Sequence, residues 1–216
     1  MVWRQIPLAV QLRQIAVRCR IGLALALLAW VAPAAAQSAS PATQELSPAH
    51  KYFTDVILVN QFGEPLRLYS DLLKGKIVVI NSFFATCTGV CPVMNRKMAQ
   101  IQETLGDRVG RDVFLLSITV DPENDTPARL RDYAASYGAR PGWHFLTGKR
   151  ENVELALRKL GQYVAAREDH LTLMIVGNEP TGLWKKVLAL ADIGQILDTV
   201  LSVVNDKGPA APTEKE

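Results

Sequence analysis

Two cysteines are the residues with the clearest capacity for chemistry. Cys87 and Cys91 lie four positions apart, and Pro92 follows directly. If the turn between them is helical, residues i and i+4 share a face, so the two thiols could share a metal ion or close a disulfide. The spacing alone does not choose between redox chemistry and metal binding, and two ordinary buried cysteines are the remaining alternative.

The chain around these cysteines predicts a strand, a turn and a helix. Residues 77–84 form an apolar run that begins with β-branched residues, which is typical of a buried strand of a parallel or mixed sheet. Pro92 suits the first turn of a helix, and an apolar stripe at helical spacing continues to Leu105. The thiols should therefore lie at the positive end of a helix dipole, which favours the thiolate, the form that acts as nucleophile and soft metal ligand.

The N-terminus predicts a secretory signal over residues 1–36. Four arginines and no acid precede an apolar stretch at 21–31, and three alanines at 34–36 offer a cleavage site. An uncleaved anchor is the alternative, although the stretch is shorter than the ~20 residues that a membrane span needs. We expect an exported, periplasmic protein, either soluble or tethered to the inner membrane by this segment. Residues 37–51, rich in Ser, Ala and Pro, predict a linker.

Net charge argues against a nucleic-acid partner, and the number of cysteines argues against a purely structural disulfide. The whole chain has 24 basic and 21 acidic residues, but four of the basic ones lie in the signal, so the remainder carries a net charge near −1. No basic patch indicates a nucleic-acid partner. Cys19 lies within the signal, which leaves Cys87 and Cys91. A structural disulfide across three intervening residues would constrain the unfolded chain little, so a functional role is favoured.

The order of predicted elements indicates the fold. After a hairpin at 53–68 and the strand and helix around the cysteines come a strand at 113–120, a helix from 127 to 137, a strand at 143–146, a helix at 150–160, a hairpin at 171–190 and a helix to 204. This order predicts an α/β, thioredoxin-like three-layer fold with a mixed central sheet and an added N-terminal hairpin. The domain should span 52–205, followed by a disordered tail at 206–216.

Four sequence motifs together resemble the SCO/SenC family, a family of copper-binding, thioredoxin-fold proteins that assist assembly of cytochrome c oxidase. They are FFATCTGVCPVM, SITVDPENDTPARLRDYAASYG, WHFLTG and a lone Asp-His before an apolar strand. The resemblance covers roughly residues 52–204 and implies one copper ion, Cu(I) or Cu(II), bound by Cys87, Cys91 and His170. Thiolates suit Cu(I), and an added imidazole lets the same site hold Cu(II). The chain departs from the family at Leu171, where a small hydroxyl residue is common, and at 88–90, where a Pro-Asp pair is frequent.

Other residues that could carry chemistry have simpler interpretations. His50 lies in the linker and should be solvated, whereas His144 lies among apolar residues and should be packed. Two aspartates should shape the loop after the strand predicted at 113–120 by hydrogen-bonding the loop's backbone. Two methionines at helical spacing should lie in the core. These four residues are Asp121, Asp125, Met94 and Met98.

The resemblance implies a copper metallochaperone that hands its metal to a copper-accepting subunit of cytochrome c oxidase. An exported thiol reductase would keep its thiols reduced, and another copper chaperone could supply the metal. The alternative is an exported thiol–disulfide oxidoreductase with Cys87 and Cys91 as catalytic residues, so the sequence leaves open whether the protein is an enzyme. Thr88 and Cys91 form the T-x-x-C pattern of a peroxiredoxin-like peroxidase. This function is disfavoured because Phe84 stands four residues before the threonine, where proline is expected. A zinc site is disfavoured because two cysteines and one histidine leave tetrahedral coordination incomplete.

Overall fold

The computed structural model describes residues 45–169 and 172–209, without the side chain of Glu168. The strands in this part are β1 (Ile57–Asn60), β2 (Pro65–Arg67), β3 (Ile77–Phe83), β4 (Val113–Thr119), β5 (Trp143–Thr147), β6 (Leu173–Asn178) and β7 (Leu183–Leu188). The α-helices are α1 (Pro48–Phe53), α2 (Cys91–Leu105), α3 (Pro127–Ser136), α4 (Arg150–Leu160) and α5 (Ile193–Val204). A short π-helical turn (Leu68–Leu73) and two 3₁₀ turns (Gly106–Arg108 and Arg167–Asp169) complete the described elements.

The strands form one mixed sheet in the order β2-β1-β5-β4-β3-β6-β7. The central strand β3 pairs in parallel with β4 and antiparallel with β6. The predicted N-terminal hairpin is confirmed: β1 and β2 pair antiparallel, and β1 continues the sheet beyond β5. Phe83 lies opposite Thr119 at the ends of β3 and β4, so the loops that follow these strands leave the same end of the sheet.

Helices cover both faces of the sheet, as the predicted three-layer fold requires. Val79 and Phe83 of β3 pack with α2, α3 and α5 on one face. Val78 and Ile80 point the other way and pack with α4 and with apolar residues of α1. All four of these side chains are at most 1% exposed. The side chains of this apolar run therefore pack into two hydrophobic cores, one on each face of the sheet. This packing fixes the orientation of β3 and so the position of the cysteine loop that follows it.

The N-terminal part of the domain differs from the sequence-based expectation. Residues 48–53 form helix α1 where a linker followed by a strand was predicted, and β1 begins only at Ile57. A local cap explains the helix, because the Ser47 hydroxyl accepts a hydrogen bond from the His50 backbone N–H at 3.1 Å and Pro48 opens the first turn. The domain limits at 52 and 205 remain predictions.

The predicted signal, most of the linker and the last seven residues lie outside the described part of the chain. Within residues 45–169 and 172–209, no helix is long and apolar enough to span a bilayer.

Candidate metal centre

The two cysteines lie between β3 and α2, where the sequence placed them. Cys87 is half-exposed on the loop after β3, and Cys91 is the first residue of α2 and 0% exposed. The turn between them is not helical, yet the two thiols, which form no disulfide, are hydrogen-bonded to each other. The expected proximity is therefore confirmed, and it arises from the loop returning to the helix start.

The backbone of Phe84 holds both thiol-bearing residues. Its carbonyl accepts the Cys87 backbone N–H at 3.1 Å, and a backbone hydrogen bond from Phe84 reaches the Cys91 sulfur. A single residue at the end of the central strand thus fixes the separation of the two cysteines. Such a fixed pair of sulfurs can bind one soft metal ion or form a disulfide with little rearrangement.

Burial governs the ionisation of the inner thiol. Desolvation is the largest cause that raises the pKa of Cys91, and the hydrogen bond with Cys87 raises it further. The backbone hydrogen bonds from Phe84 and from Cys91 itself lower that pKa by less. The expectation that the thiolate is favoured at this helix N-terminus is therefore wrong for Cys91, because the cost of burying a charge exceeds the gain from these backbone hydrogen bonds.

Two buried aspartates follow β4, and one of them bonds the cysteine loop. Asp125 is 0% exposed, and its Oδ2 accepts the Ala85 backbone N–H at 3.0 Å and the Thr119 hydroxyl at 2.5 Å. Its Oδ1 finds no hydrogen-bond partner among the described residues, and burial raises the pKa of this carboxyl. The Asp121 carboxylate accepts both the Asn124 side-chain amide and the Arg167 guanidinium. The expectation that these carboxylates bond the backbone of their own loop is wrong, because they bond side chains and the neighbouring cysteine loop.

A hydrogen-bonded chain of buried and half-buried polar side chains was missed by sequence reasoning. The Trp143 indole donates to the Ser117 hydroxyl at 3.0 Å, which donates to Asn81 Oδ1 at 2.7 Å. Asn81 Nδ2 donates to Asn95 Oδ1 at 3.0 Å, and Asn95 Nδ2 donates to the Tyr133 hydroxyl at 3.0 Å. This chain ties β3, α2 and α3 together. The signal for it was present: a polar residue interrupts each of the two most apolar strands.

The structure also places the other candidate residues. Met94 and Met98 are 0% exposed, which confirms that they belong to the core. His144 is packed as expected, with its ring stacked on Phe114 at 6.3 Å between centroids. The expectation that His50 is solvated is wrong: its Nε2 lies 2.9 Å from Asp55 Oδ2, and its side chain is 20% exposed.

The predicted third ligand, His170, lies outside the described residues. Among residues 45–169 and 172–209, no cluster of three or more His, Cys, Asp or Glu side chains is arranged to hold a metal ion. Cys87 and Cys91 can therefore supply two soft sulfur donors, and the third ligand stays a prediction.

The fold and the paired thiols define a thioredoxin-like protein with two cysteines at the turn from its central strand to the following helix. Residues 44–182 match the SCO1/SenC family model. The chain belongs to this family, which confirms the resemblance found in its motifs.

Individual relatives agree with this assignment. A SCO1 protein homologue of Bacillus subtilis is 37% identical over 112 residues, covering 50% of this chain and 56% of the relative. BsSco, a solved member of the Sco family of cytochrome c oxidase assembly proteins in which a disulfide switch was identified, is 28% identical with a TM-score of 0.58, over 70% of this chain and 92% of that one. Yeast Sco1 with copper bound is 23% identical with a TM-score of 0.60, over 72% and 89%, and at that identity it shows the shared fold. The chain spans about half the length of the curated relatives that it matches.

Proposed function

We propose that this protein is a copper chaperone that holds one copper ion through Cys87, Cys91 and His170 and delivers it to the copper site of a cytochrome c oxidase subunit. The observation that carries the proposal is the pair of thiols, hydrogen-bonded to each other and not joined in a disulfide, at the turn between β3 and α2. Thiolate sulfurs are soft ligands that suit Cu(I). Membership of the SCO1/SenC family and the copper-bound structure of yeast Sco1 support copper as the metal.

His170 is the best candidate for the third ligand. The chain has three histidines, and two of them are engaged elsewhere, His50 by Asp55 and His144 by stacking on Phe114. The resemblance of the motifs to the SCO/SenC family implies His170 as the histidine ligand, and the described residues offer no competing cluster of donors. An imidazole added to two thiolates would let the site hold Cu(II) as well as Cu(I).

The unequal exposure of the thiols suits metal transfer. Cys87 is half-exposed, so a ligand of the acceptor can reach copper from that side, whereas Cys91 is buried and would be the last sulfur to release it. Copper would then pass by stepwise ligand exchange between soft donors. Copper uptake would release the thiol protons, because the metal binds the thiolate form.

A second candidate function is thiol–disulfide exchange, and the same unequal exposure favours it. The Cys87 thiolate would attack a disulfide of the partner, forming a mixed disulfide and releasing one partner thiol. The Cys91 thiolate would then attack Cys87 Sγ, releasing the second partner thiol and leaving a Cys87–Cys91 disulfide. Two electrons pass from this chain to the partner, and an exported thiol reductase would return them. The disulfide switch identified in BsSco supports this candidate.

The proposed location is outside the cytoplasm, in the periplasm or on the outer face of the inner membrane. The proposal rests on the arginine-rich and apolar segments within residues 1–36. There the partners would be an oxidase subunit that accepts copper, a thiol reductase and a second copper chaperone that supplies the metal.

One experiment separates the two candidate functions. The full chain in a Cys19→Ser background, loaded with Cu(I) or reduced and metal-free, is mixed with the soluble copper-site domain of an oxidase subunit. That domain is prepared either with free cysteines or with its cysteines joined in a disulfide. Copper moving to the free-cysteine form, and not from a Cys87→Ser variant, supports the chaperone. Reduction of the disulfide form without copper transfer contradicts the chaperone and favours the oxidoreductase.

A further inference from the structure

Arg167 connects three segments around the candidate metal centre. It opens the 3₁₀ turn Arg167–Asp169, which directly precedes His170 in the sequence. Its Nη1 lies 2.5 Å from Asp121 Oδ2 on the loop after β4, and its guanidinium carbon lies 5.4 Å from the centre of the Phe84 ring. One side chain therefore connects the turn that precedes His170 in the sequence, the loop after β4, and Phe84, whose backbone is hydrogen-bonded to both cysteines.

The acceptor of this ion pair is firmly held. The Asp121 side chain is 7% exposed, and both of its carboxylate oxygens also accept the Asn124 side-chain amide, at 2.9 and 3.0 Å. Its backbone N–H donates to the Thr119 hydroxyl at 2.9 Å, and this hydroxyl in turn donates to Asp125. Arg167 thus binds a fixed, nearly buried carboxylate, in contrast to the exposed ion pairs that contribute little to a structure.

The second contact leads directly to the thiols. The Phe84 backbone is hydrogen-bonded to Cys87 and to Cys91. A group that packs on the Phe84 ring is therefore held in a defined position relative to both cysteines. A planar guanidinium over an aromatic ring is an attractive arrangement that the ammonium group of lysine does not reproduce in full. His170 follows Arg167 by three residues, and three residues of extended chain reach at most about 11 Å.

We propose that Arg167 is a positioning residue for the copper site, which holds the segment leading to His170 against the cysteine loop through Asp121 and Phe84. The inference rests on the proposed function, in which His170 is a copper ligand. Arg167 does not touch the metal in this proposal; it acts through the placement of the histidine. Its loss should therefore weaken Cu(II) more than Cu(I), because Cu(II) depends more on the imidazole.

Arg158 provides a matched control. It also combines a carboxylate with an aromatic ring, lying 3.6 Å from Glu154 and 3.4 Å from the centre of the Tyr163 ring. Its side chain is 52% exposed, compared with 42% for Arg167. The two arginines thus make the same kinds of contact, but those of Arg158 do not involve the loop that carries the cysteines.

The test compares Arg167→Gln, Arg167→Lys, Arg158→Gln and His170→Ala in the full chain with Cys19→Ser throughout. Cu(II) is titrated by its thiolate charge-transfer absorbance, and Cu(I) by competition with a chelator. We expect Arg167→Gln to lose roughly 10- to 100-fold in Cu(II) affinity, the range for residues that orient a ligand, and to shift the band in the direction of the His170→Ala spectrum. Arg167→Lys should restore part of the affinity, and Arg158→Gln should match the parent protein.

The outcomes separate this inference from the proposed function. If His170→Ala changes the band while Arg167→Gln does not, the positioning role is overturned and the three-ligand site stands. If Arg167→Gln lowers Cu(I) and Cu(II) affinity equally together with the melting temperature, Arg167 is only structural and the inference is also overturned. If His170→Ala itself leaves both affinities and the band unchanged, the proposed ligand set fails, and the role of Arg167 fails with it.

Discussion

Removing the Tyr133 hydroxyl should destabilise the domain although it deletes one atom from a half-buried residue. This hydroxyl accepts the Asn95 side-chain amide at 3.0 Å, and Asn95 is 0% exposed. Burial also raises the pKa of Tyr133, so the phenol stays neutral at ordinary pH. In Tyr133→Phe, the buried amide of Asn95 keeps its desolvation cost but loses its acceptor.

The expected loss follows from that unpaired donor. A buried donor left without a partner costs about 1–3 kcal/mol. At a shift of about 2–4 °C per kcal/mol for a domain of this size, a loss of ~2 kcal/mol lowers the melting temperature by about 4–8 °C. Tyr137→Phe is the matched control, because it removes the same atom one helical turn away. Its hydroxyl makes only a 3.5 Å contact with Tyr133 and should matter by less than ~0.5 kcal/mol.

Both variants are measured by urea and thermal unfolding of the reduced, metal-free chain, since bound copper would add its own stabilisation. The midpoint should fall in Tyr133→Phe and stay near the parent value in Tyr137→Phe. Equal effects of the two substitutions would refute the claim that the buried polar chain supports α2. A Tyr133→Phe variant as stable as the parent protein would refute it too.

Three further outcomes are expected. Burial raises the pKa of Asp125 above its ordinary value of 3.8. The protonated carboxyl therefore adds to the free energy of unfolding below pH ~4, and this contribution is lost as the pH rises through the folded-state pKa. Unfolding measured from pH 4 to 8 should show Asp125→Asn gaining stability relative to the parent protein, and a pH-independent difference would contradict the raised pKa. In the reduced chain, an alkylating reagent followed by peptide mass mapping should modify half-exposed Cys87 well before buried Cys91, and the opposite order would contradict the assigned exposures. Gly142→Ala should cost roughly 2 kcal/mol or more in urea unfolding, because Gly142 has φ +95° and a Cβ would lie 2.3 Å from the Gly110 backbone nitrogen; a near-neutral result would contradict this close packing.

Local sequence signals predicted most of the secondary structure. The apolar runs at 77–84 and 113–120 became β3 and β4, and the helix predicted at 150–160 has the same limits as α4. Thr126 and Asp192 cap α3 and α5 with their side chains, as threonine and aspartate commonly do at helix N-termini. Helix α1 was missed because it has six residues and depends on its serine cap, whereas apolar periodicity is informative only over longer windows.

The braces of the candidate site could not be predicted in this way. Asp125 bonds Ala85 across 40 positions of sequence, and Arg167 bonds Asp121 across 46. The first pair exists because β3 and β4 end side by side, and the second because β6 begins beside the end of β3. Both pairs therefore follow from the fold and not from local pattern. The pKa of Cys91 depends on burial, which raises it, and on backbone hydrogen bonds, which lower it, and the sequence contains no measure of how deeply a thiol is buried.

Copper titration of the full Cys19→Ser chain and its His170→Ala variant tests the central claim most directly. Reduced protein is titrated with Cu(I) against a chelator and with Cu(II) by absorbance. We predict one tightly held copper ion per chain and a thiolate-to-Cu(II) band that weakens or shifts in His170→Ala. The absence of binding beyond the chelator, or an identical band in the histidine variant, would contradict a copper site built from Cys87, Cys91 and His170.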